Sequence, residues 1–228
     1  NGTYSSTRKF LPKTKITKDE AKKMINRLKN KGKRFKLSYD GQVLRIINLP
    51  KNYKDYPYIL ASFPNSYYEK KMWYTKQRTK NDLTPAKTAK LMSDEDKDLI
   101  CEKVKKNLKL RLNIDYRKSL TSDWKEELSN TYRDTSLNRS LNAYVKAAKA
   151  RKIVASSSQI VVDPSSLWTD KGGSSCYVRV YTKFRVKSGQ VPSAKSSLQN
   201  EVIYGSYTAL KNLSSKKTVT FMDEIKVN

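Results

Sequence analysis

Two kinds of apolar periodicity divide the chain into a helix-rich part and a strand-rich part. Between residues 17 and 150 apolar residues recur three or four positions apart, whereas between 151 and 228 they alternate with polar residues. Helices followed by an antiparallel meander are typical of an α+β fold. We therefore predict a single α+β domain over residues 17–228, with helices packed on one face of a C-terminal antiparallel sheet. Residues 1–16 are expected to form an extended lead-in.

Capping residues mark the beginning of three helical regions. Thr17 lies three positions before Glu20, which is the spacing of a capping box, and the apolar stripe behind it ends near Gly32. Ser93 precedes an acidic first turn and predicts a helix to about residue 112. Because apolar residues also alternate over residues 108–116, a strand is an alternative interpretation for the last turn of that helix. Ser122 is expected to cap the last helical region, which ends near residues 149–152.

The part of the chain between residues 35 and 92 is less regular. Asp40-Gly41 separates two alternating runs and predicts a β-hairpin. Seven aromatic residues lie between Tyr56 and Tyr74, and residues 67–74 are expected to form a short helix. Residues 75–92 lack a sustained periodicity and contain Pro85, so we predict a long surface loop with a basic edge.

Four runs of β-branched and aromatic residues predict the strands of the sheet, at residues 153–162, 176–187, 201–211 and 217–227. The second run, residues 176–187, is called β3 and places its valines and Phe184 on a buried face. The opposite face, called the basic β3 face below, is predicted to be exposed to solvent and carries Tyr177, Arg179, Tyr181, Lys183 and Arg185. Aromatic rings that stack on bases, together with cations that follow a phosphate backbone, are typical of single-strand binding. An ordinary solvated strand has the same composition.

The net charge of the chain indicates which classes of partner it can attract. The sequence has 48 Lys+Arg against 21 Asp+Glu, a formal net charge of +27, which attracts polyanions such as nucleic acid, wall polymers or lipid headgroups. Most of these cations are lysine, 36 Lys against 12 Arg. Lysine is a hydrated point charge, whereas paired hydrogen bonds to bases or phosphates favour arginine. The excess charge is therefore expected to be diffuse, and a biased residue composition is a competing explanation.

Several kinds of active site are excluded by composition. The chain has no His and two Cys, so it cannot form a Ser-His-Asp triad, a His-ligated metal site or a four-Cys cluster. It contains no P-loop, GxGxxG or HExxH motif, and no apolar run approaches the roughly 18 residues of a transmembrane helix. Glu69 beside Tyr67 and Tyr68 is the remaining enzymatic interpretation, as a general acid on a stacked sugar. We predict no enzymatic activity, no cofactor and no metal.

The two cysteines, Cys101 and Cys176, have two interpretations. A disulfide between them would join a predicted helix to a predicted strand and, in an oxidising compartment, stabilise the fold by about 4 kcal/mol. Two separate buried thiols fit the sequence equally well. The chain begins at Asn1 without Met, so the absence of a hydrophobic leader says nothing about export.

Three segments together resemble a known group of proteins. They are residues 58–69 (YILASFPNSYYE), 108–117 (LKLRLNIDYR) and 177–186 (YVRVYTKFRV). They are similar to the uncharacterised C-terminal region of secreted Gram-positive bacterial proteins that carry a copper amine oxidase N-terminal, stalk-like domain. The resemblance covers most of the chain from about residue 15 and implies export, cell-surface association and no assigned chemistry. It also favours the Cys101–Cys176 bridge.

No oxidase activity is implied by this resemblance. The stalk-like domain is not recognisable in the chain, and the copper histidines and the Asn-Tyr-Asp/Glu cofactor motif of the amine oxidases are missing. The leading hypothesis is a non-enzymatic domain, extracellular or attached to the cell surface after removal of a signal peptide, that binds anionic cell-envelope polymers. The alternative is a nucleic-acid-binding protein that uses the basic β3 face.

Overall fold

The computed structural model describes residues 15–131, 138–189 and 218–227 and confirms the α+β class. Its α-helices are α1 (Lys18–Lys29), α2 (Asn65–Glu69), α3 (Trp73–Gln77), α4 (Pro85–Leu91), α5 (Asp94–Leu112), α6 (Ser122–Ser129) and α7 (Asn138–Ala150). Its strands are β1 (Ile114–Asp115), β2 (Val154–Thr169), β3 (Cys176–Ser188) and β4 (Thr218–Val227), with short 3₁₀ helices at Lys31–Lys33 and Tyr53–Asp55. Residues 1–14 of the lead-in predicted over 1–16, and the strand predicted over 201–211, lie outside the described residues.

The described strands form one antiparallel sheet in the order β1-β2-β3-β4. The turn between β2 and β3 is closed by Asp170, whose carboxylate accepts the backbone N–H of Ser174 at 2.9 Å, and by Gly173 at φ +66°. Described strands that are neighbours in sequence are neighbours in the sheet, as in a meander. However, β3 pairs directly with β4, whereas the predicted order put residues 201–211 between them.

A bulge allows β2 to continue through Pro164, where the sequence predicted that the strand had ended. Asp163 pairs with Arg179 and Trp168 with Tyr177, so four residues of β2 bulge out against one residue of β3. Proline donates no ladder hydrogen bond and is tolerated in strands at such bulges. The hydroxyl of Ser166 closes the bulge, since it donates to the carbonyl of Asp163 and accepts the N–H of Arg179.

The main core lies between the sheet and helices α5, α6 and α7. The β3 side chains facing it are fully buried, as the alternation predicted: Val178, Val180, Phe184 and Val186. The opposite face of the sheet carries a second, aromatic core built from residues 56–72, against which Val161, Tyr181 and Met222 pack. The sheet is therefore covered on both faces over part of its length.

The helix boundaries follow the predicted caps closely. Thr17 and Glu20 form the capping box of α1, with the Thr17 N–H donating to Glu20 at 2.8 Å. Ser93 caps α5, which ends at Leu112 and is followed by the two residues of β1, so the strand alternative holds only beyond Leu112. The predicted cap at Ser122 is wrong by one position, because the hydroxyl of Thr121 accepts the N–H of Trp124.

Between residues 35 and 92 the structure corrects three predictions. The turn at Gly41 (φ +78°) forms, but the expected hairpin is reduced to the single bridge Leu37–Val43. The helix predicted over 67–74 is instead two helices, α2 and α3. The predicted surface loop contains α4, which Thr84 caps and which has Pro85 in its first turn, where proline needs no hydrogen-bond donor. None of the described helices is long and apolar enough to cross a bilayer.

Candidate functional site: a cationic cleft beside the sheet bulge

The basic β3 face is covered by protein over much of its length. The ring of Tyr177 stacks on Trp168, with centroids 4.0 Å apart, and Tyr181 packs edge-on against Phe63 at 5.8 Å. Lys183 is half-buried and Arg185 is exposed. The prediction of a solvent-exposed face is wrong for Arg179, which is 3% exposed, because residues 67–75 pack over this part of the sheet.

Arg179 anchors the segment that covers it. Its Nη1 donates to the carbonyl oxygens of Tyr67 and Tyr68, the latter at 3.0 Å, and its Nη2 donates to the carbonyl of Lys70 at 3.0 Å and to the hydroxyl of Thr75 at 3.1 Å. These carbonyls lie at the end of α2 and just beyond it, where a helix leaves acceptors without partners. The guanidinium therefore holds the α2–α3 segment on the sheet.

Glu224 of β4 completes this anchor and is 4% exposed. Its carboxylate lies 3.8 Å from Nε of Arg179, its cross-strand partner. It accepts the N–H and the hydroxyl of Thr75, both at 2.7 Å, and the indole N–H of Trp168 at 3.0 Å. The buried charge is thus paired and hydrogen-bonded, which is what makes a buried ion pair tolerable.

A cleft of about 570 Å³ opens beside this ion pair and is called the cationic cleft below. Its walls come from residues 51–56, 68–71 and 75–80, and the bulge contributes Ser166 and Trp168. Tyr56, Tyr68 and Trp168 are buried and form its floor. The Arg179–Glu224 pair, by fixing residues 67–75, positions one wall of the cleft against the sheet.

The cationic cleft is named for the charges that line it. Six cations and two carboxylates, Asp55 and Glu69, line it, and because Arg179 is paired with Glu224 an excess of three positive charges remains. The cations are Lys51, Lys70, Lys71, Arg78, Lys80 and Arg179. The four lysines are exposed at the rim, whereas Arg78 is half-buried with its guanidinium 5.8 Å from the centroid of Trp168. A concave surface lined by one sign of charge concentrates the field that attracts the opposite charge.

Two polar groups in the cationic cleft have contrasting partners. The amide of Asn52 donates to the carbonyl of Tyr68 at 3.0 Å, but its buried Oδ1 has no hydrogen-bond partner among the described residues. Glu69 accepts the N–H of Lys51 at 2.8 Å. The Glu69 carboxylate therefore joins two walls of the cleft, whereas the Oδ1 of Asn52 is buried away from the open part of the cleft.

Asp163 lies beneath the bulge and is fully buried. Its Oδ1 accepts the backbone N–H of Ser165 at 2.9 Å and the Ser165 hydroxyl at 2.6 Å. Burial raises the pKa of Asp163 from 3.8 to about 6, against the opposing effect of these hydrogen bonds and of Arg179. This carboxyl shapes the bulge and does not line the cationic cleft.

Of the two interpretations of the cysteines, the structure agrees with two separate thiols, because Cys101 and Cys176 are both free. Cys101 packs against the main core near Asp40 and Asp98, whereas Cys176 begins β3 near Asp170, so their surroundings differ. Burial raises the pKa of both thiols, which favours their protonated form. In the described ranges no group of three or more Cys, Asp and Glu side chains is placed to hold a metal ion.

Several residues of the site were not found by sequence reasoning. Trp168, Ser166 and Asn52 carry no distinctive spacing, and they come together only through the bulge and the packing of residues 51–56. Glu224 did carry a signal, because a carboxylate within an alternating strand suggests a buried partner. The basic edge of the loop predicted over residues 75–92 did indicate part of the cleft, since it includes Arg78 and Lys80.

Comparison with known proteins adds no relative: no family model, no curated protein and no solved structure matches the chain.

Proposed function

We propose that this chain is a non-enzymatic binding domain of the bacterial cell surface and that the cationic cleft holds an anionic envelope polymer. The observation that carries the proposal is the cleft itself, in which six cations and two carboxylates line about 570 Å³. The location outside the cell is supported by the resemblance of residues 58–69, 108–117 and 177–186 to secreted Gram-positive proteins.

The donors and acceptors of the cleft suit a polyol phosphate. Exposed lysines are hydrated point charges on flexible stems, so the four at the rim can follow a chain of phosphates without fixed geometry. The carboxylate of Asp55 and the hydroxyl of Thr79, both in the lining, supply hydrogen-bond partners for a hydroxyl group. A polymer such as poly(glycerol phosphate) offers both chemistries in every repeat.

Single-stranded nucleic acid on the basic β3 face is the alternative. Base stacking needs free aromatic faces, but one face of Tyr177 is occupied by Trp168 and Tyr181 packs against Phe63. The remaining accessible cations are Lys183 and Arg185. This alternative therefore depends on Lys183, on Arg185 and on the part of the Tyr181 ring that remains exposed, and Tyr181→Ala should weaken binding by about 1–3 kcal/mol.

A charge-matched pair of variants tests the cleft. The cleft variant combines Lys51→Gln, Lys70→Gln and Lys80→Gln, and the control combines Lys103→Gln, Lys105→Gln and Lys109→Gln, which are exposed on α5. Binding of poly(glycerol phosphate) is measured by calorimetry at 50 and 200 mM salt, with dextran as the neutral polymer. We expect the cleft variant to lose at least tenfold in affinity and part of its salt dependence, because fewer counterions are released.

The control variant should lose less than threefold, since it removes the same charge from another surface. Equal losses in the two variants would mean that the polymer follows net charge alone and would overturn the cleft as the site. Tighter binding of single-stranded DNA, weakened by Tyr181→Ala and not by the cleft variant, would replace the proposal by the nucleic-acid alternative.

A further inference from the structure

Helix α1 leaves much of its apolar stripe exposed. The stripe has the spacing of one helix face and consists of Ala21, Met24, Ile25 and Leu28. None of the residues of α1 is buried, and Ile25 and Leu28 are 51% and 55% exposed. The helix is nevertheless well formed, with its capping box at Thr17 and with Arg34 donating to the carbonyls of Arg27 and Leu28 at its other end.

Cations border this stripe. At 100° per residue, Lys18, Lys22 and Lys29 fall within about 60° of Ile25 around the helix. Residues 15–36 contain ten Lys and Arg against two acidic residues, Asp19 and Glu20. Long lysine side chains can lie along an apolar surface while their ammonium groups reach a charged layer above it.

The positive charge around α1 indicates which kind of partner can cover its apolar stripe. A second copy of the chain carries +27, and residues 190–217 of the same chain carry four lysines and one glutamate, so both would bring like charge to α1. An amphipathic helix with a basic polar face and a narrow apolar stripe complements the anionic headgroups and acyl boundary of a bilayer. We propose that α1 docks on anionic phospholipid, lying in the plane of the membrane surface with Ile25 and Leu28 inserted.

This docking is independent of the cationic cleft, because α1 contributes no residue to it. The protein would then contact the membrane through α1 while the cleft remains open to a polymer. Vesicles of phosphatidylglycerol and phosphatidylcholine in equal parts should bind the full chain, whereas vesicles of phosphatidylcholine alone should bind it at least tenfold more weakly.

The decisive variant keeps every charge and removes the apolar contacts. Ile25→Ser with Leu28→Ser should weaken binding to the anionic vesicles at least tenfold. The matched control, Leu91→Ser with Leu99→Ser, removes two comparably exposed leucines elsewhere and should change binding less than twofold. Circular dichroism and the urea midpoint verify that each variant is folded as the wild type is.

Three outcomes would overturn the proposal. Unchanged binding of the Ile25→Ser/Leu28→Ser variant would mean adsorption of a basic surface without insertion of α1. Equal loss in the control pair would assign the effect to general surface hydrophobicity. Absence of vesicle binding, with a dimer in sedimentation that the Ile25→Ser/Leu28→Ser variant abolishes, would assign the stripe to a second copy of the chain.

Discussion

The exposure of an individual side chain in this protein depends on which segment packs over it more than on its residue type. Arg179 and Arg185 occupy the same side of β3, yet Arg179 is buried and Arg185 is exposed. Alternation predicted the shared side correctly, because period two follows from strand geometry alone. It could not predict the cover, since residues 56–75 reach the sheet through contacts more than 100 positions apart in sequence.

Asp163→Asn tests the effect of burial on a single carboxyl. The folded state holds the Asp163 proton more tightly than the unfolded chain does, because its pKa rises from 3.8 to about 6. The folded state is therefore stabilised fully by this proton below pH 3.8, and the stabilisation is lost as the pH rises from 3.8 through about 6. The free energy of unfolding should fall by about 3 kcal/mol over this range. Urea unfolding between pH 4 and 7 should show this decrease in the wild type, and Asp163→Asn should remove most of it.

Asp115→Asn is the control for that measurement. Hydrogen bonds from Arg117 lower the pKa of Asp115 to about 2, so its contribution has the opposite sign and is lost only as the pH falls below about 4. This variant should leave the decrease between pH 4 and 6 intact. An Asp163→Asn protein with the wild-type pH dependence would contradict the assignment to Asp163.

Among the elements, those whose ends are set by local chemistry were predictable. The caps at Thr17 and Ser93 satisfy donors of the first helical turn, so the sequence locates the starts of α1 and α5. The breaks predicted at Pro85 and Pro164 are wrong, because proline does not always end an element. In the structure Pro85 is in the first turn of α4 and Pro164 is in a bulge, and only the surrounding hydrogen bonds distinguish these places.

Glu224→Ala tests how the α2–α3 segment is held on the sheet. Removing the carboxylate leaves Arg179 as an unpaired buried charge and leaves Thr75 and the indole N–H of Trp168 without their acceptor. We expect a loss of about 3–5 kcal/mol in the free energy of unfolding. Chemical denaturation measures it.

Glu127→Ala provides the comparison for an exposed pair. Glu127 lies 3.6 Å from Lys106 and both side chains are more than half exposed, so its removal should cost less than about 1 kcal/mol. Similar losses in the two variants would show that the Arg179–Glu224 pair is not the anchor of the segment.

For the whole molecule, the fold gathers part of the net charge of +27 on three distinct surfaces of the described residues. The cationic cleft, α1 and the far end of β3 each carry part of it, and they differ in shape and in apolar content. The sequence predicts attraction to polyanions and a diffuse excess of positive charge. It does not predict that Lys51, Lys70 and Lys80 line one cleft, because these lysines belong to three separate segments that pack around the bulge.

Protection of lysines from acetylation tests the central claim most directly. The acetylation rate of each lysine is measured by mass spectrometry with and without poly(glycerol phosphate) at 50 mM salt. We predict at least threefold slower acetylation at Lys51, Lys70, Lys71 and Lys80, with unchanged rates at Lys103, Lys105 and Lys109 on α5. Uniform slowing across both sets, or protection confined to Lys183, would contradict the cationic cleft as the polymer site.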